Sequence, residues 1–259
     1  MLLEGKVAIV SGVGPGLGRE IAVAFAAEGA DVVLGARTPA NLEEVAAAVE
    51  GMGRRAVWRP TDITRPEQVR ELVDACIAAF GRVDVLVNNA FTPDVFQPFE
   101  SVDLDAWRRI MEVNCFGSLA LTRAVIPHMR AAGGGSVVFV NSMIVRKPLP
   151  LQGGYAISKA ALLTAAHVLA KELGPYNIRV NSVVPGWMWG PSVEGYFRSV
   201  EERTGRSVQD QYDEVASAIP LGFMPTDEDC ARAVVFLASD LAVAVTGQSL
   251  DVNGGEVFH

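Results

Sequence analysis

The chain has 259 residues, of which 50% are hydrophobic and 20% charged, and its net charge is −8 at pH 7. This composition is typical of a compact globular protein and excludes a disordered chain. The acidic residues are dispersed and no basic stripe is present. We therefore expect neither nucleic acid nor an anionic membrane as a partner.

Cysteine usage and the amino-terminal residues indicate the compartment. Cys76, Cys115 and Cys230 are odd in number and show no CxxC spacing, so we expect reduced, buried side chains and no metal site. No apolar segment near Met1 is long enough for a signal peptide or a membrane span, which predicts a cytoplasmic location. Because no linker-like or low-complexity segment interrupts the chain, we expect residues 1–259 to form a single domain.

The first elements predict a phosphate-binding turn. Residues 7–10 form a continuous apolar run, typical of a strand buried in a parallel sheet. A glycine-rich segment, residues 11–18, leads directly into an amphipathic helix over residues 19–27. Backbone N–H groups at the start of such a helix attract an anion. The candidate binding residues are Ser11, Gly12, Gly16, Leu17 and Gly18.

The glycine spacing differs from the long dinucleotide fingerprint, but residues 31–37 predict a second strand that completes a βαβ unit. In such units an acid at the end of this strand binds the ribose of NAD(H) and repels the 2′-phosphate of NADP(H). Here the strand ends at Arg37 without a carboxylate. An arginine suits a phosphate and favours NADP(H), whereas an Arg37 that stacks on adenine or faces water leaves NAD(H) open.

Helices and strands then alternate, which predicts an α/β fold: a Rossmann-type, doubly wound parallel sheet with helices on both faces. Periodicity predicts helices over 40–52 and 66–80 and strands over 56–58 and 83–87. Asp62 and Ile63 follow the third strand, and Asn88-Asn89-Ala90 follows the fourth. Ligands of open α/β sheets bind at these carboxyl ends.

A long helix is predicted from Asp103, its N-cap, to about Arg130. Asn114 is a polar residue among apolar neighbours in this helix, so it is either a satisfied core amide or a functional group. A fifth strand over 136–140 delivers Asn141 and Ser142 at its carboxyl end. Ser142 is therefore placed at the same edge as the glycine-rich turn.

The segment after Gly153-Gly154 opens an apolar helix that carries Tyr155 and Lys159. A spacing of four residues places both side chains on one helix face. An ammonium beside a phenol favours the phenolate and lowers the pKa of the tyrosine, which would give a general acid/base. A tyrosine and a lysine at this spacing are usually no more than packed, solvent-exposed neighbours on a helix. A catalytic role for this pair is therefore inferred only together with the surrounding motifs.

The last third of the chain closes the sheet. A sixth strand over 178–184 ends at Pro185-Gly186, and periodicity weakens between residues 187 and 223. This segment is rich in aromatic residues, which suits a lid over a substrate, although the rings could equally pack a helix onto the body. Thr226 is predicted to cap a helix that ends at Ala238, and residues 247–255 give a last strand and turn.

These motifs, in this order and at these intervals, closely resemble the short-chain dehydrogenase/reductase family over residues 5–255. The resemblance implies an NAD(P)-dependent enzyme that transfers a hydride between the cofactor and an alcohol or ketone. Tyr155 would be the acid/base, Lys159 would lower its pKa and hold the nicotinamide ribose, and Ser142 would bind the substrate oxygen. Asn114 would hold a water in a proton relay to Lys159.

The resemblance also implies the remaining cofactor contacts. Asp62 and Ile63 would line the adenine pocket, Asn89 and Ala90 would lie beside the ribose, and the nicotinamide would be enclosed by Pro185, Gly186 and Met188. Two departures stand out: Phe91 replaces the glycine that usually follows Asn-Asn-Ala, and Trp187-Met188-Trp189-Gly190 lacks the usual threonine after Pro-Gly. A homotetramer is a further expectation from the family.

Two alternatives remain open. A 3-ketoacyl carrier-protein reductase shares this length and plan, although the acidic net charge disfavours docking an acidic carrier. A regulator that binds dinucleotide without turnover would be the other, but such proteins often lack the tyrosine or lysine that this chain keeps. Arg146 and Lys147 would suit an anionic substrate, whereas an apolar or cyclic substrate is favoured by the aromatic and aliphatic groups around Phe91, Met143, Ile144, Trp187 and Trp189.

Overall fold

The structure is a computed structural model that describes residues 1–258. Its centre is a seven-stranded sheet in which every neighbouring pair of strands is parallel. The strands are β1 (Val7–Ser11), β2 (Asp31–Ala36), β3 (Ala56–Pro60), β4 (Val85–Asn88), β5 (Gly135–Val140), β6 (Ile178–Pro185) and β7 (Ser249–Val252). This fold is the Rossmann-type α/β architecture that the sequence predicts.

The strand order is β3-β2-β1-β4-β5-β6-β7, so the direction of winding reverses between β1 and β4. Ligands of doubly wound sheets bind outside the carboxyl ends of the strands at this reversal. The glycine-rich turn follows β1, and Asn89-Ala90 follows β4, which places both predicted motifs at the crevice.

Helices cover both faces of the sheet. They are α1 (Leu17–Ala27), α2 (Pro39–Glu50), α3 (Pro66–Phe80), α4 (Leu104–Met111), α5 (Ser118–Ala131), α6 (Gly153–Leu173), α7 (Pro191–Thr204), α8 (Val208–Ser217) and α9 (Asp227–Ala238). One core joins α1, α2 and α9 to the sheet, and a second joins α3, α5 and α6 to the other face. Within residues 1–258 no helix is both long and apolar enough to cross a membrane.

The predicted helix over 103–130 is confirmed as an unbroken run of helical residues, but it is not α-helical throughout. A π-helical turn, Glu112–Gly117, separates α4 from α5. The turn buries Asn114 completely and brings Gly117 so close to Ile63 that a Cβ would lie 2.7 Å from Ile63 Cγ1. Such turns are frequent at functional sites, and hydrophobic periodicity does not distinguish one from a regular helix.

Two predicted helix caps are confirmed. The Asp103 carboxylate accepts a hydrogen bond from Asp105 N (2.9 Å) at the start of α4. Thr226 and Asp229 form a reciprocal capping box at the start of α9. The segment of weak periodicity, residues 187–223, contains α7 and α8, and all three cysteines are buried and free.

Candidate active site

A cleft of about 500 Å³ opens at the carboxyl ends of the strands. It brings together most residues that the sequence singles out, from Ser11 of β1 to Met188 after β6: Ser11, Gly12, Leu17, Gly18, Arg37, Asp62, Ile63, Asn89, Ala90, Ser142, Tyr155, Lys159, Pro185, Gly186 and Met188. Gly16 faces an adjoining cavity of about 440 Å³ instead. Asn114 lies behind the cleft wall and does not line it. The volume is in the usual range for a ligand site.

The glycine-rich turn is built by close backbone approach. Gly12 has a φ of 87°, and a Cβ at this residue would overlap the backbone of Ala90. A Cβ at Gly18 would overlap the carbonyl oxygen of Gly12, which already accepts a hydrogen bond from Asn89 Nδ2 (2.8 Å). No side chain caps α1, whose N-cap is Gly16. The free backbone N–H groups at this helix start fit an anion such as a pyrophosphate.

The end of β2 lies beside the end of β3, its neighbour in the sheet, at one side of the cleft. Arg37 is exposed and lines the cleft with Asp62. Burial opposes ionisation of Asp62, but hydrogen bonds from Thr64 and the charge of Arg37 hold the pKa of this carboxyl below its usual value. Asp62 is therefore ionised at neutral pH and already accepts hydrogen bonds from Thr64 N (2.9 Å) and Thr64 Oγ1 (2.7 Å).

Ser142 and Tyr155 meet on the opposite side of the cleft. Ser142 follows β5, Tyr155 stands in the first turn of α6, and both side chains line the cleft. Burial raises the pKa of Tyr155 to about 12, and the interaction with the Ser142 hydroxyl only partly offsets that rise. The expected lowering by Lys159 is thus wrong for the protein alone, in which desolvation dominates and Tyr155 is a neutral phenol.

Lys159 lies one turn further along α6 and is only 3% exposed. Its Nζ donates to the carbonyl oxygen of Val140 (2.8 Å) and lies 5.7 Å from the ring centroid of Tyr155. Burial lowers the pKa of Lys159 to about 8. A buried amine close to neutrality can hold or release a proton at little cost, which suits a group that assists an acid/base.

Asn114 is a satisfied buried amide. Its Oδ1 accepts from Thr92 N (2.7 Å), and its Nδ2 donates to Thr92 O (3.0 Å) and Ser158 Oγ (3.0 Å). The sequence left open whether this amide is structural or functional. The structure shows that it binds the loop after β4 to α6, because both of its amide hydrogens are used within the protein.

The outer part of the cleft is aromatic. The ring of Phe91 meets Tyr155 edge-on, with 6.3 Å between centroids and 63° between planes. Trp187 lines the cleft and packs against Phe197 (5.9 Å). Trp187 and Phe197 belong to a third hydrophobic cluster, formed within residues 187–224 and separate from the two cores of the sheet.

The two cations after Ser142 turn away from the cleft. Arg146 lies 3.5 Å from a carboxylate oxygen of Asp251 and donates to Ser249 Oγ (2.5 Å). Lys147 pairs with Glu256 (3.1 Å). Neither residue lines the cleft, so both connect the segment after β5 to the carboxyl-terminal strand and the turn that follows it.

Two acidic residues at the site escaped the sequence analysis. Asp94, in the loop after β4, accepts a hydrogen bond from Tyr155 N (2.6 Å). Asp227, the first residue of α9, lines both cavities and approaches Gly16 and Gly190. Burial and the charge of Glu20 raise the pKa of Asp227 to about 6. In the sequence, the position of Asp227 directly after the N-cap Thr226 indicates only the start of a helix. No pattern of neighbouring residues indicates a role for Asp94.

Comparisons with known proteins agree with this geometry. A family model described as enoyl-(acyl carrier protein) reductase matches residues 12–256. The chain is 34% identical over 259 residues to 3-oxoacyl-(acyl-carrier-protein) reductase FabG of Thermotoga maritima, covering 100% of both.

Solved structures are equally similar over nearly the whole chain. L-sorbose reductase from Gluconobacter frateurii, complexed with NADPH and L-sorbose, has a TM-score of 0.95 and 32% identity, covering 100% of both chains. Carveol dehydrogenase from Mycobacterium avium, in complex with NAD, has a TM-score of 0.93 and 31% identity, covering 98% of both. One neighbour thus holds NADPH and the other NAD, which supports a nicotinamide dinucleotide without deciding between the two forms.

Proposed function

The chain belongs to the short-chain dehydrogenase/reductase family and is an NAD(P)-dependent oxidoreductase of alcohols and ketones, and from this premise we propose that it reduces an apolar ketone with Tyr155 as the proton donor. The observation that carries the proposal is that Ser142 and a neutral Tyr155 line the same cleft and that the Ser142 hydroxyl interacts with the phenol. A phenol whose pKa is about 12 is in the acid form that protonation of a carbonyl oxygen requires.

Each residue has a defined part in the proposed reaction. Ser142 donates to the substrate oxygen, orients it and stabilises the charge that develops there. Tyr155 gives its proton to the same oxygen. Lys159 restores that proton to Tyr155, because its own pKa, about 8, lies near neutrality. Asn114 supports this arrangement from behind the cleft, because its side chain holds Thr92. The proposal also includes a water near Asn114 that relays protons to Lys159.

The residues of the cleft fit a nicotinamide dinucleotide, which supplies the hydride when bound. We assign the pyrophosphate to the glycine-rich turn, where no side chain caps the start of α1 and backbone N–H groups can bind an anion. The adenine pocket is assigned to Asp62 and Ile63, the ribose to Asn89 and Ala90, and the nicotinamide to the segment around Pro185. Arg37 is the only cation among the described residues that line the cleft besides Lys159, and it favours NADP(H).

Cofactor choice is tested by titrating wild type, Arg37→Ala and Arg59→Ala with NADPH and NADH while following tryptophan fluorescence. Arg59 is the control, because it is exposed on β3 and does not line the cleft. We expect Arg37→Ala alone to weaken NADPH binding by about tenfold, the loss of one exposed charge-assisted contact. Equal affinity of wild type for both cofactors, or no change in Arg37→Ala, would contradict the assignment.

The apolar substrate class follows from the cleft walls. Phe91 and Trp187 supply the rings beside Tyr155 and the nicotinamide segment, whereas Arg146 and Lys147 are paired elsewhere. We propose that residues 187–223 form a lid whose aromatic cluster closes over a cyclic or branched ketone. Turnover of a ketone panel should rise with ring size and fall for carboxylated analogues.

A carrier-protein reductase is the second candidate, favoured by the FabG relative at 34% identity. The two candidates separate on substrate: acetoacetyl thioesters should be poor substrates if the first proposal holds and the best ones if the second does. The net charge of −8 disfavours an acidic carrier.

We also propose a cytoplasmic homotetramer. Exposed apolar side chains on the outer faces of the helical layer, Phe116 before α5 and Ile157 and Val168 on α6, support association of chains. Sedimentation of the purified protein tests the assembly.

A further inference from the structure

The first turn of α6 is intrinsically weak. It begins with Gly153 and Gly154, and glycine is the least favourable residue after proline in a helix. The N-cap, Gln152, provides no side-chain hydrogen bond to the turn. Tyr155, the third residue of the helix, therefore stands on the part of α6 most prone to fray.

The two glycines are required by packing. The indole of Trp107, on α4, lies so close that a Cβ at Gly153 would be 2.5 Å from its Cη2 atom. At Gly154 the corresponding distance to Trp107 Cδ1 would be 2.6 Å. The close contact thus excludes better helix formers from the first two positions, and the turn needs stabilisation from elsewhere.

That stabilisation comes from Asp94, which is 61 residues away in sequence. Its Oδ2 accepts the backbone N–H of Tyr155 at 2.6 Å, while its Oδ1 accepts from Val95 N at 2.7 Å. The residue is only 6% exposed. A carboxylate at a helix start satisfies an N–H group and interacts favourably with the helix dipole.

The position of Asp94 is itself fixed by Asn114. The amide of Asn114 binds both the N–H and the carbonyl of Thr92, two residues before Asp94, and also Ser158 of α6. The π-helical turn, the loop after β4 and the first turn of α6 are therefore joined by hydrogen bonds that end at the backbone of Tyr155.

We propose that Asp94 is a positioning residue: through the Tyr155 N–H it holds the first turn of α6 so that the phenol stays in contact with Ser142. This inference rests on the proposed function, because it assigns the benefit to the reaction of Tyr155. Asp94 itself does not line the cleft, and it has no direct role toward the substrate.

The test compares Asp94→Ala and Asp94→Asn with Asp84→Ala and Asp84→Asn. Asp84 is the control, because it is 7% exposed and accepts a distant backbone N–H, from Val7 (2.9 Å), at the amino ends of the strands. It also pairs with Arg82 (2.5 Å), so its substitution should cost at least as much stability. For each variant the experiment measures kcat, cofactor Kd by fluorescence titration, melting temperature and hydrogen exchange of residues 153–156.

We expect Asp94→Ala to lower kcat by about 30-fold with cofactor Kd within about twofold of wild type, since a misplaced acid costs rate rather than binding. Asp94→Asn retains one acceptor oxygen for the two N–H groups of Val95 and Tyr155, so we expect a smaller loss of kcat, of about fivefold. The Asp84 variants should lower the melting temperature while keeping kcat. Backbone hydrogen exchange in Asp94→Ala should be faster than in wild type only in the first turn of α6.

The inference is overturned if Asp94→Ala keeps its kcat, or if the Asp84 variants lose as much kcat as Asp94→Ala for the same fall in melting temperature. If Asp94→Ala fails to fold, Asp94→Asn decides, because unchanged kcat together with unchanged exchange at Tyr155 contradicts the proposal. A Tyr155→Phe variant measured in parallel separates the proposed function from the role of Asp94. Normal turnover of Tyr155→Phe would contradict the proposed function itself. An inactive Tyr155→Phe together with normal turnover of Asp94→Ala would contradict only the role of Asp94.

Discussion

The glycine-rich turn (residues 11–18) and the first turn of α6 (residues 153–156) stand on opposite sides of one cleft but are held in different ways. The glycine-rich turn is shaped by backbone packed on backbone, as in the contact of Gly12 with Ala90. The first turn of α6 is held by side chains from other segments, namely Asp94 and Trp107. Under the proposed function, cofactor binding would depend on the absence of side chains in the glycine-rich turn, whereas the position of Tyr155 would depend on side chains from other segments.

This difference predicts which of the two turns tolerates substitution. A side chain added at the glycine-rich turn meets backbone, which cannot move aside. We expect the loss of a hydrogen bond at the start of α6 to displace Tyr155 and to disturb the rest of the fold less. We therefore expect variants of the first region to lose binding and variants of the second to lose rate.

The largest effect should come from Gly12→Ala. A φ of 87° and the overlap with Ala90 both oppose a Cβ, and we expect a loss of roughly 3 kcal/mol in stability together with loss of cofactor binding. Thermal unfolding and fluorescence titration measure the two effects.

Gly53→Ala is the matched control, because Gly53 has a φ of 77° but no atom lies within 4 Å of the place that a Cβ would occupy. It should cost about 1 kcal/mol, the strain of the left-handed backbone alone, and leave cofactor binding intact. Equal effects of the two substitutions would show that the close approach to Ala90 is unimportant.

Lys159→Met should separate stability from activity. Burial lowers the pKa of Lys159 from 10.5 to about 8, so the folded protein carries an unfavourable buried charge at neutral pH. That shift corresponds to about 3 kcal/mol, and loss of the hydrogen bond to Val140 offsets about 1 kcal/mol of it. We expect a net gain of about 2 kcal/mol at pH 7 with turnover greatly reduced.

The pH dependence of that gain has a definite sign. A folded pKa below the unfolded one penalises the folded state fully below pH 8, and the penalty disappears as pH rises to 10.5. The advantage of Lys159→Met in chemical denaturation should therefore shrink between these values. A gain that stays constant with pH would contradict the assignment of the effect to a buried charge.

A smaller effect is expected for Asp227→Asn. Its pKa is raised to about 6 by burial and by Glu20, so the folded state is penalised above that pH and free of the penalty below the ordinary value of 3.8. After allowance for partial exposure we expect a gain of about 1 kcal/mol at pH 8 and none near pH 4. Melting curves across this range measure it.

Asp74→Asn, on the exposed face of α3, is the control for removing one negative charge away from the cleft. Asp227→Asn should also tighten cofactor binding severalfold at pH 8, because it removes a negative charge beside the glycine-rich turn. Unchanged affinity would mean that Asp227 stays protonated or distant in the complex.

The sequence predicted those parts of the molecule whose structure is determined by residues close together in the chain. The seven strands, the cap at Thr226 and the shared edge of Gly12, Ser142 and Tyr155 all follow from periodicity and from the rule for parallel sheets. The glycine-rich turn was predicted for the same reason, since close backbone contact requires glycine and the glycines are visible in the sequence.

The parts that escaped have causes far away in sequence. The π-helical turn places Asn114 against Thr92, 22 residues earlier, and the cap of α6 depends on an aspartate 61 residues earlier. The pairing of Arg146 with Asp251 depends on where the last strand lies. The pKa of Tyr155 was predicted to fall because a neighbouring charge can be read from spacing, whereas the burial that raises it cannot.

The division of the cleft into a binding side and a chemical side is tested most directly by Tyr155→Phe, measured for both cofactor affinity and turnover on the best ketone of the panel. We predict that NADPH affinity stays within about threefold of wild type and that kcat falls by roughly 10³-fold or more, because the ring remains and only the donated proton is removed. Turnover close to that of wild type would contradict the assignment of Tyr155 as the acid. Loss of cofactor binding would contradict the division itself.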